Sequence, residues 1–332
     1  MAKATRKKSA KPEDSSNLLQ AVNFCLGAVK ELGEVYQTHL ILAHNWAVGF
    51  DGVLTAAHPI TDDLTAYPHG DTLATALKRC ATGTAITQGD DRTLKVSAGR
   101  LRASVPCAEP FPFPPPPDAP ALDLEPDQSA ALKRSLSEAG RPAKDQADRT
   151  LFASVMLQSG TASGTDGIIV IESWHGLTIP GQLMIPKVFV KTLEKTDKTI
   201  AKIGGSDNSL TVYFTDKSWL KTQLYRETFP DLGRLWEQVN ADDVVPIPDH
   251  FFPGVDHLKA FADGRIEITA SGMRNEKAEF DLDIKMPYER AILSSTHLLM
   301  LNGIVSKYRL DPKASYFSGE NCRALLSGIY AH

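Results

Sequence analysis

The hydrophobic residues of this chain follow two periods that alternate from one segment to the next. Near the start they recur at three- and four-residue spacing, at Leu18, Leu19, Val22, Leu26 and Val29. This period predicts an amphipathic helix that begins near Ser16 or Asn17. Further along, Leu101, Ala103 and Val105 alternate with polar residues, and this period of two predicts a half-buried strand. The chain is therefore predicted to mix helices with strands.

The two periods predict the same order of elements twice, and a variant of it a third time. The first set is the opening helix, strands at 39–50 and 53–59, a helix at 71–80 and a strand at 101–105. The second set is a helix at 128–139, strands at 151–157 and 168–171, a helix at 186–197, and a hairpin at 210–214 and 219–224. The third set has no predicted opening helix, because residues 248–253 are short and bounded by prolines. It begins with a strand at 254–261 and continues with a strand at 266–268, a helix at 295–305 and strands over 310–329.

A short phrase, Asp-Gly followed by apolar residues, occurs three times. The pairs are Asp51-Gly52, Asp166-Gly167 and Asp263-Gly264, which are 115 and 97 residues apart. A period near 100 residues is the size of a small domain. The sequence therefore predicts an α+β protein of three tandem domains, each an antiparallel sheet with helices on one face. The predicted boundaries are a basic tail at 1–15 and domains at 16–118, 119–243 and 244–332, the third one shortened.

Composition and charge place the chain among cytoplasmic globular proteins. It has 332 residues, 42% hydrophobic and 23% charged, and no apolar run of membrane-spanning length. Four scattered cysteines without a CxxC pair are typical of a reducing cytoplasm. The net charge is −4, yet residues 1–14 carry five basic and two acidic residues. This tail is interpreted as a solvated arm, with nucleic-acid contact as the alternative.

Two segments resemble the bacterial sliding clamp family, the beta subunit of DNA polymerase III. Thr165-Asp166-Gly167 before apolar residues resembles the family's Thr-Asp-Gly-His-Arg-Leu strand. Phe229-Pro230-Asp231, followed by Arg234 and Leu235, resembles its Gly-Arg-Phe-Pro-Asp-Tyr segment. Residues 262–284 are similar to part of its last domain, and the resemblance extends over about residues 15–332.

The resemblance implies a non-catalytic protein without cofactor or metal, built from three clamp domains with the helices on the inner face. It implies a head-to-tail homodimer, a ring around duplex DNA that docks peptides of a DNA polymerase and a clamp loader. The shortened third domain and the basic tail favour a phage-borne or other mobile version that acts in the host cytoplasm. No membrane partner is implied.

By matching position, the resemblance also implies a peptide-binding pocket. Its residues are Thr165, Gly167, Ile168, Val170, Pro230, Arg234, Leu235, Leu325, Leu326 and Ile329. An apolar cleft with a few oriented polar groups suits an extended peptide. The alternative is that Ile168 and Val170 are ordinary sheet core.

Basic residues recur on the predicted helices on the side away from the apolar stripe. In the helix at 186–197, Phe189, Val190 and Leu193 share the apolar arc, and lysines lie opposite. The candidate DNA-facing residues are Lys78, Arg79, Lys133, Arg134, Lys187, Lys191, Lys195 and Lys198. Contacts to phosphate carry no sequence information, so they suit a ring that slides. The alternative is a solvated lysine face without a ligand.

Other clusters are weaker. Metal-competent groups at 58–71 match no ligand spacing, and the chain contains no GxSxG, P-loop or dinucleotide motif. A hydrolase is the least favoured hypothesis. The main rival is a clamp-fold adaptor that binds replication or repair proteins without encircling DNA, motivated by the missing helix at 248–253. The proline-rich run at 110–120 is either a rigid spacer or a docking site.

Overall fold

The structure is a computed structural model that describes residues 15–80, 84–89, 92–237, 239, 243–262 and 264–329. The predicted basic tail and Asp263 therefore lie outside the described residues, apart from Ser15. The chain divides into two compact units, Met1–Pro126 with Lys195–Gln223 and Asp127–Glu194 with Leu224–His332.

The helices assigned within the described residues are α1 Ser15–Cys25, α2 Val35–Thr38, α3 Gly70–Arg79, α4 Pro126–Gly140, α5 Lys187–Glu194, α6 Leu232–Glu237, α7 Phe251–Phe261 and α8 Ser295–Met300. The strands are β1 Ile41–Ala43, β2 Trp46–Phe50, β3 Leu54–Pro59, β4 Ala85–Gln88, β5 Thr93–Ala98, β6 Leu101–Pro106, β7 Pro120–Asp123, β8 Ser154–Gln158, β9 Thr161–Thr165, β10 Ile169–Trp174, β11 Gln182–Pro186, β12 Ile200–Gly205, β13 Ser209–Phe214, β14 Trp219–Gln223, β15 Val245–Pro246, β16 Arg265–Thr269, β17 Gly272–Arg274, β18 Glu279–Asp281, β19 Arg290–Ser294, β20 Lys307–Arg309, β21 Ala314–Ser318 and β22 Cys322–Ser327. Short 3₁₀ turns lie at Leu26–Ala28 and Thr150–Ala153.

The first unit contains a seven-stranded sheet in the order β1-β2-β3-β14-β13-β12-β7 and a three-stranded sheet, β4-β5-β6. Its core joins the apolar stripes of α1 and α3, including Leu18, Val22, Leu73 and Leu77, to buried strand residues. The predicted helices near 16 and 71 are therefore confirmed, because their three- and four-residue stripes have a sheet to bury against.

One predicted strand of this unit is wrong. Residues 39–50 form β1 and β2 rather than one strand, because the chain reverses at His44 and Asn45. Both residues have positive φ, 54° and 62°. A two-residue loop with positive φ at both positions matches the right-handed twist of a hairpin.

The second unit contains an eight-stranded sheet, β11-β8-β9-β10-β22-β21-β20-β15, and a four-stranded sheet, β18-β17-β16-β19. Neighbouring strands pair antiparallel, as between β10 and β22 and between β16 and β19. The buried cluster includes Ile169 and Ile171 from β10, Phe251 and Leu258 from α7, and Leu326 from β22. With its antiparallel sheets and few helices, the chain is α+β, as predicted.

The third set of elements does open with a helix, so the prediction of a missing helix is wrong. Residues 251–261 form α7 rather than a strand, and Phe251, Val255 and Leu258 are buried on one side. Pro253 is the third residue of this helix. The first four N–H groups of a helix have no intrahelical partner, so a proline costs little there.

The third copy of the Asp-Gly turn also lies elsewhere than predicted. Asp51 Oδ1 accepts hydrogen bonds from Val53 N and Leu54 N at 2.8 and 2.7 Å, at the turn from β2 to β3. Asn275 Oδ1 makes the same pair of bonds, to Lys277 N and Ala278 N, both at 2.9 Å, between β17 and β18. The equivalent of Asp51 in the third set is therefore Asn275, whereas Gly264 lies between a helix and a strand.

Candidate functional site

The predicted peptide pocket is centred on the turn between β9 and β10, and this turn is tightly bonded. Thr165 Oγ1 donates to the carbonyl of Ile169 at 2.7 Å and accepts from the amide of Gly167 at 3.0 Å. Asp166 Oδ1 accepts from the amides of Ile168 and Ile169 at 3.0 and 3.1 Å. Gly167 has φ 90°, a conformation that side chains other than glycine's disfavour. The Thr165 hydroxyl therefore shapes the turn.

A chain of three side chains ties this turn to α8. Asp166 Oδ2 lies 2.8 Å from His297 Nε2, and His297 Nδ1 lies 2.7 Å from Ser294 Oγ. Burial acts to raise the pKa of Asp166, but hydrogen bonds from His297 and from two backbone amides outweigh it and lower the pKa to about 2. The carboxylate is therefore charged at neutral pH and holds the turn in place.

An apolar patch, the candidate peptide cleft, adjoins the turn. Val170 and Leu325 are directly opposite each other on β10 and β22, so their side chains share one face of the sheet. Val170 and Leu235 pack against a cluster formed by Leu151, Met156, Met184, Phe229 and Leu232. Phe152 packs on the same cluster, and a Cβ at Gly167 would lie 3.4 Å from its ring.

Three predicted pocket residues have different surroundings. Leu326 is fully buried in the core beside Ile169, on the opposite face of β22 from Leu325. It is therefore a core residue and not part of the cleft. Ile168 is 43% exposed at the turn, and the amide of Ile329 donates to the carbonyl of Ile292 at 2.8 Å. The alternative of ordinary sheet core, stated for Ile168 and Val170, does not fit the exposed Ile168.

Pro230 and Arg234 mark the exposed side of the cleft. Both are exposed, and the Arg234 side chain is 85% accessible on α6. Its Nε lies 3.6 Å from Asp231 Oδ2, one turn away. An exposed pair of this kind contributes little to stability, so the guanidinium is available to a ligand.

Sequence reasoning missed an ion pair beside the cleft. Arg323 Nε donates to Glu172 Oε2 at 2.6 Å, and these residues are opposite each other on β22 and β10. The guanidinium also stacks on Trp236, 4.3 Å from the ring centroid, and lies 5.8 Å from that of Trp174. The alternation of β22 was the available signal, because Arg323 is two residues before Leu325 and must share its face.

The candidate DNA-facing cations differ in their surroundings. Lys78, Arg79 and Lys195 are exposed. Other members already bond within the chain: Arg134 Nη2 to the Trp174 carbonyl at 2.8 Å, Lys191 to Asp145 at 2.5 Å, and Lys198 to Asp216. Lys133 is half-buried.

Lys187 is held inside its unit. Its ammonium donates to the carbonyl of Gly140, the last residue of α4. Burial lowers the pKa of Lys187, and the charge of Lys191 acts in the same direction, whereas Glu194 opposes it. A cation at the carboxyl end of a helix stabilises the helix dipole. Lys187 therefore serves α4 more directly than it can serve a ligand.

Within the described residues there is no group of three or more His, Cys, Asp or Glu side chains arranged to hold a metal ion. Among the helices of those same residues, none has the length and apolar character needed to cross a membrane.

Comparisons with known proteins identify the fold. No protein-family model and no curated protein matches the sequence. Among solved structures, the DNA polymerase III subunit beta of Pseudomonas aeruginosa is similar with a TM-score of 0.78 and 16% identity, covering 96% of this chain and 98% of that chain. The sliding clamp of Bacillus subtilis gives 0.78 and 13% with the same coverage. The Helicobacter pylori beta clamp, solved with a DNA ligase peptide, gives 0.76 and 10%, covering 95% of this chain and 98% of that chain. This chain has the fold of the bacterial beta sliding clamps, so the resemblance first indicated by residues 165–167 and 229–235 is confirmed for the fold.

Proposed function

We propose that this chain, which has the sliding-clamp fold, is a DNA sliding clamp: a non-catalytic, cytoplasmic processivity factor that encircles duplex DNA and docks polymerase and loader peptides. The observation that carries the proposal is the similarity over 96% of the chain to the Pseudomonas clamp, at a TM-score of 0.78. Because the similarity spans almost all of both chains, we propose that the domain boundaries near 118 and 243 apply.

The proposed ring is a head-to-tail homodimer. The presence of α7 supports it, because the argument against ring closure was the absence of that helix. Light scattering across a dilution series tests this step. A mass of twice 36.2 kDa that persists on dilution is expected. A persistent monomer would contradict the ring.

The proposed DNA contact uses the exposed cations Lys78, Arg79 and Lys195. Charge reversal at all three is expected to weaken binding to a duplex and to flatten its dependence on salt, since fewer counterions are released. Reversal at Lys277, Lys307 and Lys313, which are also exposed, makes the same change in charge and serves as the control. Equal loss of duplex binding in both variants would contradict the assignment of Lys78, Arg79 and Lys195 to DNA contact.

Encirclement itself is tested by topology. After incubation with nicked circular plasmid, the dimer is expected to stay with the DNA at high salt and to leave when the plasmid is cut. Equal release of the protein from circular and from linearised plasmid would show that it does not encircle DNA.

The proposed peptide site is the cleft of Val170, Leu235 and Leu325, with Pro230 and Arg234 at its exposed side. Its apolar floor and exposed guanidinium suit an extended peptide with apolar anchors. The ligase peptide on the Helicobacter clamp supports peptide docking on this fold. The variant Val170→Asp is expected to abolish capture of polymerase while the dimer persists.

The second candidate is a clamp-fold adaptor that does not encircle DNA. The observation that favours it is the use of Arg134, Lys187, Lys191 and Lys198 in bonds within the chain. The net charge of −4 acts in the same direction. Peptide capture without plasmid retention would select the adaptor.

A further inference from the structure

Two histidines of the first unit lie directly opposite each other, although they are far apart in the chain. His39 and His69 form an isolated antiparallel bridge. The amide of Leu40 donates to the carbonyl of Pro68 at 2.9 Å, so the two histidines are a non-hydrogen-bonded pair. The side chains of such a pair lie on the same face and approach each other more closely than those of a hydrogen-bonded pair. The backbone therefore brings the two imidazoles together.

Both histidines are held in place by helix ends. His39 directly follows α2, and its amide donates to the carbonyl of Val35 at 3.0 Å. His69 directly precedes α3, and its carbonyl accepts from the amide of Leu73 at 3.0 Å. Both residues are half-buried, so each ring keeps a side that solvent can reach. The pair is thus arranged before any ligand arrives.

The separation of the two rings suits a shared metal ion. Their centroids are 5.2 Å apart, and their planes meet at 82°. With metal–nitrogen bonds of about 2.1 Å, two imidazoles in a tetrahedral site have their centres about 5 Å apart. The observed separation of His39 and His69 therefore matches that of two rings bound to one ion.

Hydrogen bonds at Nδ1 leave Nε2 of each ring for a ligand. His39 Nδ1 lies 3.1 Å from the carbonyl oxygen of Val35, which can only accept, so Nδ1 carries the ring proton. The Nε2 atom of a neutral ring in this tautomer has a free lone pair. His69 Nδ1 lies 3.2 Å from Thr72 Oγ1. Histidines that bind metals use their second nitrogen in the same way, in a hydrogen bond that fixes the orientation of the ring.

We propose that His39 and His69 bind one divalent ion of a first-row transition metal, such as Zn²⁺, through their Nε2 atoms. Imidazole suits zinc, nickel and copper, whereas Mg²⁺ and Ca²⁺ prefer oxygen ligands. Because no group of three or more ligand side chains exists within the described residues, water completes the coordination. The ion links the end of α2 to the start of α3 and stabilises the first unit by mass action. This site does not depend on the proposed function.

Long-range ¹H–¹⁵N spectra of the imidazole rings test the proposal on the full, metal-free chain, which has nine histidines. The signals of His39 and His69 are identified by their loss in His39→Gln and His69→Gln. Backbone-to-ring correlations assign both rings in the wild type, even where a variant does not fold. Addition of ZnCl₂ is expected to shift both Nε2 signals together and to saturate at one equivalent. The same concentration of MgCl₂ is expected to leave them in place.

The variants provide a second measurement, the affinity for Zn²⁺ by calorimetry. Each glutamine variant is expected to bind Zn²⁺ at least about tenfold more weakly than the wild type, because one of two protein ligands is lost. His257→Gln serves as the control, because it makes the same change at an exposed histidine of the second unit. Equal affinity in all three variants would contradict the site.

Other results of the titration would also overturn the proposal. Shifts of His39 and His69 at different Zn²⁺ concentrations would show that the two rings do not share an ion. An earlier shift of another histidine would place the zinc site elsewhere. Unmoved Nε2 signals, or saturation only at millimolar Zn²⁺, would leave the pair as an edge-to-face contact of two rings. These spectra involve neither DNA nor peptide, so a failed titration leaves the clamp proposal standing.

Discussion

Asp166 and His297 are 131 positions apart in the chain, yet Oδ2 of the first lies 2.8 Å from Nε2 of the second. Their side chains are only 5% and 11% exposed. This contact joins the turn that borders the candidate peptide cleft to helix α8. The geometry of the cleft therefore depends on the last third of the chain as well as on the turn's own residues.

Asp166 both supports the turn and pairs with His297, and two substitutions are expected to separate these roles. Asp166→Ala removes the acceptor for two backbone amides and for His297, and breaking a buried pair costs about 3 kcal/mol. Asp166→Asn keeps the turn, because Asn275 supports the same turn with an amide oxygen. We expect it to cost about 2 kcal/mol, because the hydrogen bond that it loses is to a charged group. Urea unfolding measures both, and equal losses would mean that the two amide bonds of the turn contribute nothing beyond the His297 contact.

The same pair predicts a dependence on acid pH. The pKa of Asp166 is about 2 in the folded chain, below the value of about 3.9 expected for an unfolded aspartate. Unfolding therefore takes up a proton between these two values. The stabilisation is fully present above about pH 4 and is lost as pH falls through 2. The difference in unfolding free energy between wild type and Asp166→Asn is expected to shrink by on the order of 2 kcal/mol over this window. A difference that is constant with pH would contradict the assignment.

At the third copy of the turn, an asparagine is expected to be more stable than an aspartate, the reverse of the expectation for Asp166. Asn275 Oδ1 accepts from two amides, while its Nδ2 donates to the carbonyl of Leu258 at 2.6 Å, near the end of α7. Asn275→Asp would direct a carboxylate at that carbonyl and at the negative end of a helix. We expect a loss of about 1–3 kcal/mol. Asp51→Asn is the control and is expected to change stability by less, as measured by thermal unfolding.

Much of the fold could be predicted because the apolar residues of its helices recur at regular helical spacing. The buried Leu73 and Leu77 of α3, or Phe189 and Leu193 of α5, recur at helical spacing and need only one sheet to cover them. Two features could not be read from spacing. Pro253 indicates a helix break until its position in the first turn is known. Asn275 carries no Asp-Gly phrase, although its hydrogen bonds repeat those of Asp51.

The candidate site was predicted unevenly for a related reason. A motif match gives the position of a residue in the chain but not the face of the strand on which its side chain lies. Leu325 and Leu326 were therefore both placed in the pocket. Pairing of β22 with β10 sends Leu326 to the core and brings Arg323 to the cleft side. Lysine faces are also ambiguous in sequence, since the bond from Lys187 to Gly140 depends on how α5 packs beside α4.

At Gly254 of helix α7, the helix propensity gained by adding a methyl group can be compared with the cost of overpacking the core. A Cβ at Gly254 would lie 2.6 Å from Met273 Cε and 2.7 Å from Phe280 Cδ1. Gly254→Ala gains about 1 kcal/mol of helix propensity, but overpacking costs about 1–3 kcal/mol. We expect a net loss of stability, because the Phe280 ring cannot yield as a flexible methionine tip can. Double substitution with Phe280→Leu is expected to recover most of the loss. If Gly254→Ala were more stable than the wild type, the close packing of Met273 and Phe280 around this position would be contradicted.

The proline-rich run, predicted as either a rigid spacer or a docking site, is bonded to the sheet of the first unit at its end. Its half-buried residues, Phe111, Pro114 and Pro117, recur every third position, which is the period of a polyproline II helix. Asp118 fastens its end: Ser209 Oγ and Thr211 Oγ1 each donate to the carboxylate at 2.8 Å. Burial acts to raise the pKa of Asp118, but the hydrogen bonds from Ser209, Thr211 and Lys221 outweigh it and lower the pKa.

Loss of this fastening is expected to release the run and to destabilise the first unit. Asp118→Ala leaves Lys221, whose ammonium also donates to the Pro116 carbonyl at 2.7 Å, buried without its carboxylate. Breaking such a pair costs about 3 kcal/mol. Asp123→Ala removes an exposed pair with Lys202 on β12, the neighbouring strand of the sheet, and is expected to cost less than about 1 kcal/mol. Hydrogen exchange measures the release directly, because the amide at position 118 donates to Thr211 Oγ1 at 3.0 Å. Exchange there is expected to rise steeply in the Asp118 variant and to stay unchanged in the Asp123 variant. Unchanged exchange in both would mean that the prolines hold the run against the sheet without the carboxylate.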